Sequence, residues 1–233
     1  KTIFSTSGKG VAWNGTRWVA VGEGTTNTIA HSDDGITWTG LGTNIFSTSG
    51  NGVAWNGTRW VAVGEGTTNT IAHSDDGQNW TGLGISIFSS YGNGVAWNGT
   101  RWVAVGAGTT NTIYIYNTIA HSDDGITWTG LGNSIFSTSG NDVAWNGHKW
   151  VAVGTGTNTI AYSSDISYTW YGVTNSNNIF SEGHGVAGNS RIGPVVVDSF
   201  LKINYNEKLD IVSDTNTNIG SNHFSCQINC REL

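Results

Sequence analysis

GVAWNGTRWVAVG, residues 10–22, is the stretch that decides the fold. It returns unchanged at 52–64 and 94–106, and as DVAWNGHKWVAVG at 142–154. Its apolar residues are β-branched, small or aromatic, and none recurs at helical spacing. It therefore reads as two strands, GVAWN (10–14) and RWVAVG (17–22). Asn14-Gly15 between them is the strongest short hairpin signal, because both residue types tolerate positive φ.

Two more strands complete the unit. A Gly/Thr/Asn-rich connection, EGTTN, leads to TIAHS (28–32), which Asp33-Asp34-Gly35 closes. ITWTGL (36–41) follows, and a GTNIFSTSG link reaches the next copy. Trp13, Trp55, Trp97 and Trp145 mark the period, with steps of 42, 42 and 48 residues. The longer step holds a local duplication, NTIYIYNTI (111–119). Segments 4–42 and 46–84 differ only at Lys9/Asn51, Ile36/Gln78 and Thr37/Asn79, which implies recent copying.

A four-stranded unit of roughly 40–45 residues has the size of one propeller blade. One blade cannot bury both of its faces, whereas stacked neighbours can. The expected fold is all-β with almost no helix: a β-propeller whose blades span about 1–42, 43–84, 85–132 and 133–181. The repeat starts again as FSEGHGVAGN (180–189) and then diverges, with Gly188 in the place of the tryptophan. Residues 182–233 still carry strand-like runs at 194–204, 208–214 and 223–229. They read as a degenerate fifth blade that caps the ring, or else as a small β piece for anchoring or oligomerisation.

Composition narrows the function. Charged residues make up 11% of the chain, net charge is −6 and only ten residues are Lys or Arg, which argues against nucleic-acid binding. No apolar run approaches the roughly 20 residues of a membrane-spanning helix. Cys226 and Cys230 on one strand would lie about 13 Å apart, too far for a mutual disulfide. The absence of Met, even at position 1, points to a processed product or a fragment. No set of metal ligands stands out, and no cofactor is expected.

SDDGITW (32–38), SDDGQNW (74–80), SDDGITW (122–128) and SSDISYTW (163–170) resemble the Asp-box, or bacterial neuraminidase repeat. The first three are one residue shorter than the usual motif, and the fourth has Ser167 in place of its glycine. The resemblance covers residues 1 to about 190. It implies a propeller in which Asp34, Asp76, Asp124 and Asp165 brace the turn and Trp38, Trp80, Trp128 and Trp170 pack between blades. It does not specify a function, since Asp boxes occur in hydrolases, lectins and non-catalytic surface proteins. The repeat as a whole also resembles repeat proteins of large DNA viruses.

Several residues invite a functional reading. All 12 tryptophans fall at three fixed positions per repeat, which favours packing over ligand stacking. If one set faces a groove, it is Trp13, Trp55, Trp97 and Trp145, with Asn27 and Asn69 of the EGTTN loops as further candidate ligand contacts. His31, His73 and His121 recur beside Asp33, Asp75 and Asp123, yet each lies in a different blade, which weakens a metal reading. Arg17, Arg59 and Arg101 invite comparison with the arginine triad of sialidases but become Lys149 in the fourth copy. Catalysis needs different residues converging on one spot, and near-copies offer little such asymmetry. The chain is therefore expected to be a non-catalytic, multivalent recognition module at an extracellular or virion surface, binding glycans. A structural decoration protein is the alternative, and sialidase-like hydrolysis ranks last. A homo-oligomer formed through the C-terminal segment is a further expectation.

Overall fold

The computed structural model describes residues 2–108, 116–164 and 168–188, and the backbone of residues 201–203, 212–213 and 226–227. Asp165 and Ser167 of the fourth Asp box, most of the 111–119 duplication, and the side chains of both cysteines lie outside the described residues.

Four antiparallel blades follow one another, as the periodicity predicts. Blade 1 comprises β1 (Ser7–Trp13), β2 (Trp18–Glu23), β3 (Ile29–Ser32) and β4 (Thr39–Gly40). Blade 2 comprises β5 (Ser49–Trp55), β6 (Trp60–Glu65), β7 (Ile71–Ser74) and β8 (Thr81–Gly82). Blade 3 comprises β9 (Tyr91–Trp97), β10 (Trp102–Ala107), β11 (Ile119–Ser122) and β12 (Thr129–Gly130). Blade 4 comprises β13 (Ser139–Trp145), β14 (Lys149–Thr155), β15 (Ile160–Ser164) and β16 (Trp170–Gly172). The described helical content is one 3-10 turn, Ser176–Asn178.

The first strand begins earlier than its apolar residues suggest, because a bulge between Gly8 and Gly10 lets Ser7 and Gly8 pair with Glu23 and Gly22. The fourth strand is only two residues long, since the Asp-box turn occupies the residues before it. The Asn-Gly hairpin also differs from expectation. Gly15 alone has positive φ (101°), and the Asn14 side chain does the rest. Asn14 Oδ1 accepts from the backbone N–H groups of Thr16 and Arg17 at 2.9 and 2.6 Å, an Asx turn. Asn56 and Asn98 repeat it.

Second strands are apolar on both faces because they lie between two neighbouring blades. Val61, Ala62 and Val63 are all fully buried. Each joint encloses its own core. The trailing face of blade 1 (Val19, Val21, Ile29) meets the leading face of blade 2 (Phe46, Trp60, Ala62, Ala72). The same positions meet at joints 2/3 and 3/4. Phe46, Phe88 and Phe136, from the links between blades, are fully buried. They explain the glycine that ends each VAVG run: a Cβ on Gly64 or Gly106 would meet the Phe46 or Phe88 ring at 2.8 or 2.9 Å.

A fifth unit starts in step. Thr155 bridges Glu182 as Glu23 pairs with Ser49, and β17 (Val186–Gly188) takes the place of a first strand. It then departs from the blade pattern. β17 pairs in parallel with β18 (Leu201–Ile203), whereas β19 (Val212–Ser213) and β20 (Cys226–Gln227) pair antiparallel. The expected C-terminal strands are thus present as short pieces, but the first pair is not the antiparallel hairpin of a blade. Among the described residues, no ladder joins this unit to blade 1.

Candidate functional site

The hairpin tips and the Asp boxes share one end of the blades, because Trp13, Trp18 and Ser32 lie opposite one another in the ladders. At that end the Asp box forms a closed turn. Asp34 Oδ1 accepts from the N–H groups of Ile36 and Thr37 at 2.8 and 2.7 Å and from the Ser32 hydroxyl at 2.9 Å. The Gly35 N–H donates to Ser32 Oγ, and Trp38 Nε1 donates to the Gly35 carbonyl. These donors hold the Asp34 carboxyl well below the usual carboxylate range. At Asp124 burial pushes the other way, but the Thr127 and Ile126 N–H groups prevail and bring it to about 2. Asp76 is held down in the same manner. Asp34, Asp76 and Asp124 therefore brace their turns.

The arginines have a comparable role. Arg17 Nε donates to Asp33 Oδ1 at 2.6 Å within its own blade, and its Nη1 donates to the Asp76 carbonyl of the next blade at 2.7 Å. Arg59 does the same with Asp75 (2.8 Å) and the Asp124 carbonyl (2.8 Å). Each arginine thus ties one blade to the Asp-box turn of the next. Each belongs to a different joint, and no described joint brings two of them together.

Beside them, His31, His73 and His121 are half-buried, with Nδ1 sealed from water and without a hydrogen-bond partner. Desolvation, then the neighbouring Arg17, Arg59 or Arg101, lowers their pKa values. Among the described residues, no cluster of three or more His, Cys, Asp or Glu could hold a metal ion.

Two sequence-based assignments need correction. Asn27 and Asn69 are spent on backbone: Asn27 Nδ2 donates to the Ile3 carbonyl at 3.2 Å and its Oδ1 accepts from the Gly42 N–H at 3.0 Å. Asn69 repeats this with Ile45 and Gly84. They also lie at the wrong end. Glu23, which opens the EGTTN loop, pairs with Ser7, whereas Trp13 pairs with Trp18. Five residues of strand separate the two ends, about 17 Å at 3.3 Å each. The loops and Trp13, Trp55, Trp97 and Trp145 cannot wall one groove.

The tryptophans divide differently from expectation. Trp60 and Trp102 are fully buried and Trp150 is 2% exposed. Each pairs across its hairpin with a less buried partner: Trp55–Trp60, Trp97–Trp102 and Trp145–Trp150 have centroids 4.9, 5.1 and 5.3 Å apart. Trp55, Trp97 and Trp145 border the joint cores and are half-buried, while Trp13, on the leading face of blade 1, is 41% exposed. Trp80, Trp128 and Trp170 are half-buried at the joint margins rather than in the core proper, and Trp38 is half-buried on the leading face of blade 1.

Joint 3/4 departs from the others. The longer fourth Asp box brings in Tyr168, whose ring lies 4.2 Å from Arg101 Cζ and 4.0 Å from the His121 ring, and whose hydroxyl accepts from Arg101 Nη2 at 3.1 Å. A shallow, solvent-open cleft lies here, lined by Arg101, His121, Trp150, Ser163, Tyr168 and Trp170. Two features escaped sequence reading. One is the row of link phenylalanines. The other is a ladder near the innermost strands, in which Asn51, Asn93 and Asn141 donate to carbonyls of the next unit, Gly92, Gly140 and Gly183. The signal for both was their fixed spacing in FSTSGN (46–51 and 136–141) and FSSYGN (88–93).

The sequence matches no family model and no curated protein. Among solved structures it is similar to the crystal structure of a nidogen/laminin complex, with a TM-score of 0.53 and 13% identity over 70% of this chain and 63% of that chain. The chain thus spans less than two thirds of that neighbour's length. It also aligns with the computationally designed Ika8 protein at a TM-score of 0.47 and 14% identity, covering 68% of this chain and 46% of that one. The first likeness supports the β-propeller fold and nothing finer.

Proposed function

We propose that the protein is a non-catalytic recognition module that binds glycans at an extracellular or particle surface, using sites that repeat from joint to joint. One observation carries this reading: the arginines and aspartates that suggested chemistry are engaged in holding blades together, identically at joints 1/2 and 2/3. What they leave accessible is a recurring rim. It consists of the edges of Trp13, Trp55, Trp97 and Trp145 beside the hydroxyl-bearing tips Asn14-Gly15-Thr16, Asn56-Gly57-Thr58 and Asn98-Gly99-Thr100. Amphipathic aromatic edges next to hydroxyl and amide groups suit sugars. Weak sites in several joints would gain strength through effective concentration. The solved neighbour is itself part of a protein complex, which supports recognition as a role for such a scaffold.

Immobilised glycan arrays test the proposal. Saturable binding that weakens on Trp55→Ala supports it. A clean blank favours the structural reading, a decoration protein of a virion or filament, which the placement of the tryptophans of blades 2–4 at the joints also suits. Turnover of a fluorogenic sialoside, lost on Arg59→Ala, would overturn the non-catalytic assignment.

A further inference from the structure

Each joint has two sides, and both are visible at joints 1/2 and 2/3. The trailing side supplies an arginine, and the leading side offers an Asp-box carbonyl to it, Asp76 or Asp124. Blade 1 has the same leading side. Val11, Trp13, Trp18 and Trp38 stand where Val53, Trp55, Trp60 and Trp80 stand in blade 2, and the Asp34 turn is built like the Asp76 turn. There the face is uncovered among the described residues. Val11 is 57% exposed, and Trp18 is only half-buried although its counterpart Trp60 is fully buried.

The far end of the array has been changed. On the trailing side of blade 4, Lys149, Tyr162 and Tyr171 replace the Arg, His and Thr of blades 1–3. Lys149 Nζ lies 5.0 Å from the centre of the Tyr162 ring, which stacks on Tyr171 of its own blade at 5.6 Å. This side has no guanidinium with which to reach a following Asp box, so a second copy of the chain does not supply what blade 1 lacks.

We infer that the leading face of blade 1 is a docking surface for the arginine-bearing trailing face of another repeat of this type. The occupant is recognised by its chemistry. It has an arginine placed to donate to the Asp34 carbonyl and an apolar Val/Val/Ile patch to cover Trp18. This inference is independent of the glycan reading.

The test lengthens the full chain by one repeat. A copy of residues 43–84 joined ahead of Lys1, in register, adds an arginine-type trailing face. In repeat arrays each added neighbour contributes interface stability. The expected result is a melting temperature several degrees higher and a blue-shifted tryptophan emission. Alanine at the added arginine should reverse part of the gain. An added copy of residues 133–181, with its Lys/Tyr face, should give no rise. Equal gains from both extensions, or none from either, would overturn the inference. So would a concentration-dependent melting temperature in the unextended chain, which would mean that a second copy already covers the face.

Discussion

Joints 1/2 and 2/3 use the same residues in the same roles, whereas blade 4 keeps only the buried core of its leading side, where Tyr168 is new, and alters its trailing side. Its leading side meets blade 3, so Phe136, Val143 and Trp150 remain buried. Its trailing side meets a unit that is not a regular blade, and there Arg, His and Thr become Lys149, Tyr162 and Tyr171. A repeat's residues are thus set by the neighbour each face meets. Copying preserves the buried core while the neighbour is the same, whereas the exposed rim departs even at joint 3/4, where Tyr168 enters.

Substitutions at the joints and at the end faces should differ in cost. The largest effect belongs to the joint core: Trp60→Ala should cost about 3–5 kcal/mol, because a fully buried aromatic is lost. Trp18→Ala, on the uncovered side of blade 1, should cost clearly less. Equal losses on chemical denaturation would mean that Trp18 is covered as well as Trp60. Gly64→Ala comes next, because its Cβ would run into the Ser49 carbonyl and the Phe46 ring. Overpacking of this kind costs about 1–3 kcal/mol. Arg59→Ala should cost about 1 kcal/mol, since a charge-assisted bond at a half-exposed site contributes modestly. Lys149→Ala should leave the melting temperature unchanged. A Lys149 variant as damaging as the Arg59 variant would show that the end face is braced like the joints.

The effects of pH have opposite signs at the histidines and at Asp142. His31, His73 and His121 have depressed pKa values, so their contribution is present above the ordinary value of 6.5 and is lost as pH falls below it. Asp142 behaves in the opposite way. It replaces the glycine of blades 1–3 in the first strand of blade 4, and its Oδ2 accepts from the Val186 N–H at 2.9 Å. Burial pushes it from 3.8 up to about 6, against the pull of the Val186 and Val143 N–H groups. Its contribution is full below 3.8 and is lost as pH rises through about 6. Asp142→Asn should therefore flatten the stability profile between those values, and an unaltered profile would remove Asp142 from this account.

Much of this was legible in the sequence, for physical reasons. The period, the four strands per blade and the Asp-box turns follow from alternation, from Asn-Gly and from the short polar side chain of Asp34. Burial was less legible. Trp13 and Trp18 look equivalent in GVAWNGTRW, and only stacking of the blades shows that the second-strand tryptophan is enclosed. Asn27 reads as a loop residue until its amide is seen between two backbone groups. Phe46 reads as part of a link until the next blade closes over it. The parallel start of the C-terminal unit has no local signature, because pairing direction depends on distant chain.

Sites that repeat with the joints would show in an isothermal titration of the full chain with the oligosaccharide that binds most strongly on the array. More than one equivalent should bind per chain, in at least two affinity classes, because joints 1/2 and 2/3 are alike and joint 3/4 holds Tyr168. A single site of unit stoichiometry, unaffected by Trp55→Ala and Trp97→Ala, would contradict repetition of the sites.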